Sequence, residues 1–402
     1  MKTLASDGGK PVRTKPFPMW PNSDEDEIEA VNNVLRSGKL NYWTGEEGRA
    51  FEREFAEFSD CKYSVALTNG TVALELALYS LGIKPGDEVI VTSRTFIASA
   101  SCIVMRQAIP VIADVDRKSQ NLTAETIEKV LSPKTRAIIA VHLAGWPCDM
   151  DPILDLAKKN NLWVIEDCAQ ATGSRYKGRP IGSFGDAAAF SFCQDKIFTT
   201  GGEGGMLTTN NRELWEKSWA FKDHGKSFDA VYFRKHKPGF RWVHESFGTN
   251  WRITEMQSAI GRIALKKVKK WVGVRRDFAS MLNKSFLNFP ALRVTIPEKE
   301  FFHSYYKYYV FVEPKRLKEN WTRDRIVDAI NAEGIPCFRG SCGEIYLEKA
   351  FTLNNLGPIK RLRIAKELGE TSLMFLVHPT LSKQEIKDTI SAVEKVTSAA
   401  LK

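Results

Sequence analysis

The chain has 402 residues, of which 43% are hydrophobic and 26% are charged, and this composition is typical of a globular protein with a large core. Its apolar runs are far shorter than the roughly 20 residues of a membrane span, and its N-terminus lacks the apolar centre of a secretory signal, so we expect a cytoplasmic protein without membrane contact. The net charge of +10 fits a basic surface or anionic small ligands, and without a nucleic-acid-binding motif we expect no nucleic-acid partner.

The predicted strands appear from about Tyr63 onward, where short β-branched runs alternate with amphipathic helical segments. This alternation predicts an α/β fold in which helices cover a mostly parallel sheet. The runs are almost continuously apolar, which indicates burial on both faces of the sheet. They span residues 64–67, 88–92, 111–115, 137–141, 163–167, 187–192 and 205–208.

Two helices and a domain boundary complete this outline. After residue 71 the leucines 74, 78 and 81 share one stripe, which predicts a helix that ends at Gly82. A long helix is predicted from Thr254 towards Phe286. It leads to a smaller α+β region with a strand at 308–312 and a helix at 323–333. We therefore predict a large domain over residues 1–270, including an N-terminal segment, and a small C-terminal domain over 271–402.

Seven cysteines are spread along the chain without paired CxxC spacing, which indicates neither a disulfide framework nor a zinc site. We expect reduced, mostly buried thiols and no bound metal. They are Cys61, Cys102, Cys148, Cys168, Cys193, Cys337 and Cys342.

Lys196 and Asp167 are the candidate catalytic pair. Lys196 follows an apolar strand and precedes a glycine cluster that allows tight turns beside a ligand, while Asp167 ends a strand, where open α/β folds bind ligands. An amine that can hold an aldehyde and a carboxylate that can pair with a ring nitrogen are what pyridoxal phosphate requires. Glu166 points to the opposite face of a regular strand, so it is the weaker candidate.

A phosphate site is predicted where a strand meets the next helix, at Asn69, Gly70 and Thr71. The first turn of a helix presents free N–H groups and a positive dipole end, although these residues also fit an ordinary cap with Asn69 as the capping side chain. Phe96 follows another strand and could stack on a flat ring, or it could pack in the core. The roles of Ser191 and Asn250 do not follow from their spacing.

Six ordered motifs resemble those of the DegT/DnrJ/EryC1/StrS family of sugar aminotransferases, and the resemblance covers nearly the whole chain. The motifs are Asn69-Gly70-Thr71-Val72-Ala73-Leu74, Thr95-Phe96, Glu166-Asp167-Cys168-Ala169-Gln170, Ser191-Phe192 with Lys196, Thr200-Gly201-Gly202-Glu203-Gly204-Gly205, and Asn250-Trp251-Arg252-Ile253-Thr254-Glu255-Met256-Gln257.

The resemblance implies a fold-type I, aspartate-aminotransferase-like architecture and a homodimer with shared active sites. It implies that Lys196 holds the cofactor aldehyde, that Asp167 pairs with the pyridine nitrogen and that Gln170 lies beside the ring. Phe96 would stack on the ring face. The phosphate would be bound by four residues: Gly70, Thr71, Ser191 and, from the neighbouring subunit, Asn250.

The implied reaction moves an amino group from L-glutamate to a keto sugar, for which the family favours a nucleotide-linked keto-hexose of lipopolysaccharide or glycan biosynthesis. A keto eight-carbon acid sugar is an alternative acceptor. A sugar dehydratase is a further alternative, disfavoured because Lys196 is retained, and a non-catalytic sensor stays open. A nicotinamide-dependent oxidoreductase is disfavoured because no GxGxxG follows the first strand.

The segment 337–342 departs from the usual family pattern, so the resemblance does not transfer the sugar-binding residues. Arg339, Tyr346, His224 and His303 could touch the sugar, but each has an equally good surface or core interpretation. We therefore leave these four residues outside the predicted site.

Overall fold

A computed structural model describes residues 3–235, 242–340 and 343–402. Cys342 and the neighbouring Ser341 lie outside these ranges. The strands of the described residues are β1 Tyr63–Leu67, β2 Glu88–Thr92, β3 Ile109–Ala113, β4 Thr135–Val141, β5 Trp163–Asp167, β6 Arg175–Tyr176, β7 Arg179–Pro180, β8 Ala187–Ser191, β9 Gly205–Thr209, β10 Leu292–Arg293, β11 Phe301–Phe302, β12 Tyr308–Val312, β13 Cys337–Phe338 and β14 Ser372–Phe375.

The helices alternate with these strands in the first half of the chain. They are α1 Glu25–Ser37, α2 Glu47–Phe58, α3 Gly70–Ser80, α4 Ala98–Met105, α5 Ala124–Glu128, α6 Met150–Lys159, α7 Arg212–Lys222, α8 Phe228–Tyr232, α9 Glu255–Phe286, α10 Arg323–Ala332, α11 Lys349–Thr352, α12 Arg363–Thr371 and α13 Lys383–Ala400. Single 3₁₀ turns occupy Ala5–Asp7, Leu143–Gly145, Pro314–Arg316 and Ile345–Leu347.

The central sheet has seven strands in the order β1-β9-β8-β5-β4-β2-β3. Strand β9 is antiparallel to both of its neighbours, β1 and β8, and the other pairings are parallel. The predicted mostly parallel sheet is therefore confirmed. Because the parallel strands share one direction, their carboxyl ends meet at one edge of the sheet, and this edge carries the candidate site.

Apolar clusters cover both faces of this sheet, which explains its nearly continuous apolar strands. A third cluster fills the C-terminal region around a four-stranded sheet in the order β10-β12-β14-β13. Helix α9 runs unbroken between them. Its Val268 and Val272 pack in a sheet cluster, and its Phe278 and Leu282 pack in the C-terminal cluster. The boundary at residue 270 stays a prediction.

The predicted long helix is confirmed, and its start is set by a capping box in which Thr254 and Gln257 exchange hydrogen bonds. The helix predicted to end at Gly82 ends at Ser80, with Leu81 as its cap and Gly82 at φ 78° just beyond. Among the described cysteines, Cys102, Cys148, Cys168 and Cys337 are buried thiols, whereas Cys61 and Cys193 are partly exposed. In the described ranges no helix is both long and apolar enough to span a membrane.

Candidate active site

A cavity of about 690 Å³ opens at the carboxyl edge of the central sheet. Its walls come from the ends of β4, β5 and β8, from the first turns of α3 and α4, and from the loop after β8. Eight of the nine predicted site residues line it: Asn69, Gly70, Thr71, Phe96, Asp167, Gln170, Ser191 and Lys196. Residues from four separate segments of the sequence therefore meet at one cavity.

Asp167 ends β5 and is only 4% exposed. Its Oδ2 accepts a hydrogen bond from the Ser99 hydroxyl at 2.6 Å, and its Oδ1 accepts one from the Ala169 N–H at 3.1 Å. Among the described residues no cation forms an ion pair with it. Burial raises the pKa of Asp167, against these two hydrogen bonds and the charge of Lys196. The buried carboxylate thus lacks the cationic partner that a protonated ring nitrogen would supply.

Lys196 lies in the loop after β8 and is partly exposed to the cavity. Its backbone is held at both ends: its N–H donates to the Cys193 carbonyl at 3.1 Å, and its carbonyl accepts from Trp20 Nε1 at 2.8 Å. Its Nζ lies 4.9 Å from the centre of the Tyr306 ring. A fixed backbone and a free amine suit a side chain that must hold an aldehyde and release it again.

The first turn of α3, where the sequence predicts a phosphate site, lines one end of the cavity. Asn69 caps the helix, its Oδ1 accepting a hydrogen bond from the Val72 N–H at 3.0 Å, so the cap interpretation is correct, and the phosphate site stays a prediction. The N–H groups of Gly70 and Thr71 have no acceptor within the helix because they precede its first full turn. A Cβ at position 70 would lie 2.6 Å from that of Ser191, so only glycine allows this close approach. Ser191 therefore packs directly against the first turn of α3.

Two side chains flank the space between Asp167 and Lys196. Phe96 lines the cavity with 58% of its surface exposed, so its ring is available for stacking rather than packed in the core. Gln170 is buried, and its Oε1 accepts from the Ala144 N–H at 2.8 Å, which fixes its orientation. Both positions agree with the roles that the resemblance implies, which stay predictions.

Asn250 is exposed and does not line the cavity of its own chain. Its backbone pairs with that of Asp223 in an isolated bridge. That Asn250 binds the phosphate in the active site of a neighbouring subunit stays a prediction.

Glu166 lies on the opposite side of β5 from Asp167, as the strand alternation predicts. Its two carboxylate oxygens accept from the backbone N–H groups of Gly182, Phe184 and Gly185, each at 2.8 Å, and from His142 Nε2 at 3.1 Å. His142, Glu166 and Cys168 form a buried group of metal-ligand type. Because both oxygens of Glu166 are occupied by N–H donors, this group is a structural network.

Three of the further cavity residues bear on the chemistry of the site but were not predicted from the sequence: Ser99, Asp195 and Tyr306. Ser99 lies three residues after Phe96. A helix predicted over α4 would therefore have placed Ser99 on the same side as Phe96, near the cavity. Asp195 adjoins Lys196 but carries no pattern of its own. Tyr306 is contributed by a segment 110 positions after Lys196, and no local signal in the sequence indicates this contact.

The four residues left outside the predicted site do not line the cavity. His224 is exposed, and Arg339 pairs with Asp324 at 3.1 Å on the surface. His303 is buried and stacked on Tyr305, and Tyr346 is buried with its hydroxyl donating to Glu344.

The residues present fit pyridoxal phosphate. The buried carboxylate without a cation matches the ring nitrogen, the cradle at Gly70 that a Cβ would fill matches the phosphate, and the free amine of Lys196 matches the aldehyde. The exposed ring of Phe96 offers a stacking surface between these ends.

The sequence model of the DegT/DnrJ/EryC1/StrS aminotransferase family matches residues 21–394. A GDP-perosamine synthase from Escherichia coli O157:H7 is 34% identical over 91% of this chain and 94% of that protein. The X-ray structure of an aminotransferase from Psychrobacter cryohalolentis is 55% identical, with a TM-score of 0.94 over 96% of this chain and all of that one.

A structure of the putative sugar aminotransferase Spr1654 from Streptococcus pneumoniae in its PLP form is 26% identical, with a TM-score of 0.85 over 97% of this chain and all of that one. These findings confirm the fold-type I architecture and pyridoxal phosphate as the cofactor, and they remove the nicotinamide-dependent alternative. The chain belongs to the DegT/DnrJ/EryC1/StrS aminotransferase family, and it is a pyridoxal phosphate-dependent sugar aminotransferase.

Proposed function

We propose that the protein transfers the amino group of L-glutamate to a nucleotide-linked keto-hexose used in lipopolysaccharide or other glycan biosynthesis. The observation that carries this proposal is the placement of Lys196 and Asp167 on one cavity together with the open first turn of α3. The name of the E. coli relative, GDP-perosamine synthase, supports a nucleotide-linked acceptor. A cytoplasmic location is part of the proposal, because nucleotide-linked sugars are made there.

In this reaction pyridoxal phosphate supplies the electron sink that makes the donor's α hydrogen acidic. Asp167 places a buried negative charge where a ring nitrogen must stay protonated, and Ser99 holds that carboxylate in position. The amine of Lys196 takes the proton from the donor's α carbon and acts as general acid in the next step. With the keto sugar the same amine moves a proton in the opposite direction.

The proposal includes a homodimer in which each subunit completes the site of the other. It is supported by Asn250, which belongs to one of the six motifs yet lies outside the cavity of its own chain. In the dimer we expect Asn250 to reach the phosphate end of the neighbouring site, beside Gly70 and Ser191.

The test begins with the visible absorbance of the purified holoenzyme. We expect this absorbance to disappear with L-glutamate and to return with 2-oxoglutarate or a keto sugar. In Lys196→Ala turnover should be abolished while the melting temperature stays within a few degrees of the wild type. Lys177→Ala is the matched control, because Lys177 is an exposed lysine paired only with Asp151 and Tyr176. Undiminished transamination by Lys196→Ala would exclude the assigned base.

The acceptor is identified by incubating the enzyme and L-glutamate with a set of nucleotide-linked keto-hexoses and detecting aminated products by mass spectrometry. Borohydride reduction followed by peptide mapping checks the attachment site independently of turnover. A label on any peptide other than the one that contains Lys196 would contradict the assignment.

A further inference from the structure

A second cavity, of about 290 Å³, adjoins the catalytic one. It lies between the N-terminal segment around Trp20, helix α9 and the C-terminal region. Asp195 and Tyr306 line both cavities, so the two cavities meet at this pair. The second cavity has no part in the roles assigned above.

A buried arginine lines the second cavity. Arg275 is 1% exposed, and its guanidinium lies over the Trp20 ring at 5.2 Å. Its Nη1 donates to the Tyr306 carbonyl at 3.2 Å, but Nε and Nη2 have no hydrogen-bond partner among the described residues. Burial lowers the pKa of Arg275 to about 9, so the guanidinium keeps its charge at neutral pH. It contributes a positive charge with which no carboxylate of the described residues forms an ion pair.

Lys307 is the second cation of this cavity, and it is the one closer to solvent, with 14% of its side chain exposed. Its Nζ lies 3.6 Å from Asp195 Oδ2, and the Tyr306 hydroxyl donates to the same oxygen. Asp195 is the single carboxylate among the described residues that line the cavity. One acid therefore faces two cations and also shares its charge with a hydroxyl donor.

The remaining titratable group of the cavity adds no negative charge. Burial, together with the charges of Arg275 and Lys307, lowers the pKa of His378 to about 3, so this histidine is neutral at pH 7. Its Nδ1 is hydrogen-bonded to the Thr380 hydroxyl at 2.8 Å. The cavity thus has an excess of positive charge in an apolar setting of aromatic and aliphatic side chains, which favours a small anion.

The position of the cavity relates this anion to the reaction. The amine of Lys196 lies 4.9 Å from the centre of the Tyr306 ring, and the amine of Lys307 lies 4.7 Å from the same centre. The two amines are therefore less than about 10 Å apart, on either side of or beside one ring. An amino acid carries its carboxylates a few bonds from its amine, which suits this short separation.

We propose that the second cavity is a carboxylate-binding site for the donor amino acid, in which Lys307 contacts the carboxylate and the buried charge of Arg275 strengthens the contact. The site would favour L-glutamate, which has two carboxylates, over neutral amino acids. This inference rests on the proposed function, in which L-glutamate is the amino donor. An acid sugar is the other possible source of a carboxylate, and the two half-reactions separate the two sources.

The test compares Lys307→Met, which keeps an unbranched side chain without the charge, with Lys307→Arg, which keeps the charge. Lys129→Met is the matched control, since it removes one exposed lysine that pairs only with Glu125. The donor half-reaction is followed by the visible absorbance of the holoenzyme with L-glutamate, L-glutamine and L-alanine. The acceptor half-reaction is followed with the keto sugar and the pyridoxamine form of the enzyme. Binding of glutarate, a dicarboxylate without an amine, is measured by calorimetry.

In Lys307→Met we expect the KM for L-glutamate to rise about 10- to 100-fold, the loss of one hydrogen bond between charged groups, with kcat within about threefold of the wild type. Glutarate affinity should fall by a similar factor. Lys307→Arg should restore most of both, and Lys129→Met should change neither. If Lys307 only stabilised the fold, its replacement would lower the melting temperature and would not raise KM selectively over kcat, which would overturn the inference.

Unchanged KM values and glutarate affinity in Lys307→Met would overturn the inference while leaving the proposed function intact. An effect confined to the acceptor half-reaction would overturn it as well, because the carboxylate would then belong to the sugar. A wild-type holoenzyme that does not react with L-glutamate would instead remove the proposed function, because its donor would be another amine.

Discussion

The two faces of the central sheet can be compared at the end of β5, where the adjacent residues Glu166 and Asp167 point to opposite faces. On one face Glu166 accepts four hydrogen bonds from N–H donors. On the other face Asp167 accepts one hydrogen bond from a hydroxyl and one from a backbone amide, and it lines an open cavity. Both acids are buried, so burial does not distinguish a structural carboxylate from a functional one. The two carboxylates differ in their hydrogen bonds: Glu166 has four donors within the protein, whereas Asp167 has two and faces a cavity in which a ligand can bind.

The partners also differ in whether they can rearrange. The Cys148 N–H donates to Nδ1 of His142, so the ring proton is on Nε2 and faces Glu166. The other donors to Glu166 are backbone N–H groups, which cannot become acceptors. By contrast, Ser99 and Thr95 share a hydroxyl pair in which either can be the donor. The hydrogen bonds around Asp167 can therefore rearrange if its carboxylate loses its charge, whereas those around Glu166 cannot.

The largest expected effect is that of Asp167→Asn on catalysis. Asparagine keeps the shape but removes the charge that holds a ring nitrogen protonated, so we expect kcat to fall on the order of 100-fold or more. The melting temperature of the apoenzyme should not fall, because the hydroxyl of Ser99 can turn towards Thr95. Steady-state kinetics and thermal unfolding check both. A variant with wild-type kcat would remove Asp167 from the proposed role.

Glu166→Gln should reverse this pattern. The amide nitrogen of glutamine would face N–H donors on one of its two sides, which leaves buried donors without acceptors. We expect the free energy of unfolding to fall by about 3 kcal/mol, the cost of breaking a buried charged network from one side. Denaturant unfolding measures the loss. The specific activity of the folded fraction should stay close to that of the wild type, and a selective loss of kcat would contradict the contrast between the two faces.

Ser99→Ala is expected to have a smaller effect on the site face. The substitution removes the 2.6 Å hydrogen bond to Oδ2 of Asp167, which favours the ionised form, so kcat should fall about tenfold. Ser101→Ala, on the same helix and without a contact to Asp167, is the matched control. If both variants lose the same activity, the effect belongs to α4 as a whole rather than to the hydrogen bond.

Much of this arrangement was predictable from the sequence, because it depends on local patterns. Apolar runs bounded by turn residues predict the strands, and the alternation along 163–167 places Glu166 and Asp167 on opposite faces. The helical stripe after Asn69 predicts the phosphate end of the cavity.

What the sequence could not predict comes from distant segments. Tyr306, Lys307 and Arg275 reach the neighbourhood of Lys196 because α9 and the C-terminal region fold back against the sheet edge. No spacing in the sequence records this approach. The four partners of Glu166 are equally hidden, since three of them are backbone N–H groups whose positions depend on the loop after β7.

The two acids should also give opposite pH dependences of stability in the apoenzyme. For Glu166, burial alone would raise the pKa, but the hydrogen bonds from His142 and the backbone lower it below the ordinary 4.5. Its ionised form therefore stabilises the fold above about pH 4.5, and this contribution is lost as the pH falls through the lowered value. For Asp167, burial raises the pKa above the ordinary 3.8, so the folded state loses stability as the pH rises from there through the raised value.

These signs predict how the melting temperatures of the variants separate. The deficit of Glu166→Gln relative to the wild-type apoenzyme should be largest near pH 7 and shrink below about pH 4.5. Asp167→Asn should match the wild type at the acid end and become equal or more stable as the pH rises. Thermal unfolding from about pH 4 to pH 8 measures both differences. Adding pyridoxal phosphate should cancel the advantage of Asp167→Asn, because a cation beside Asp167 removes the cost of its buried charge, whereas the deficit of Glu166→Gln should persist.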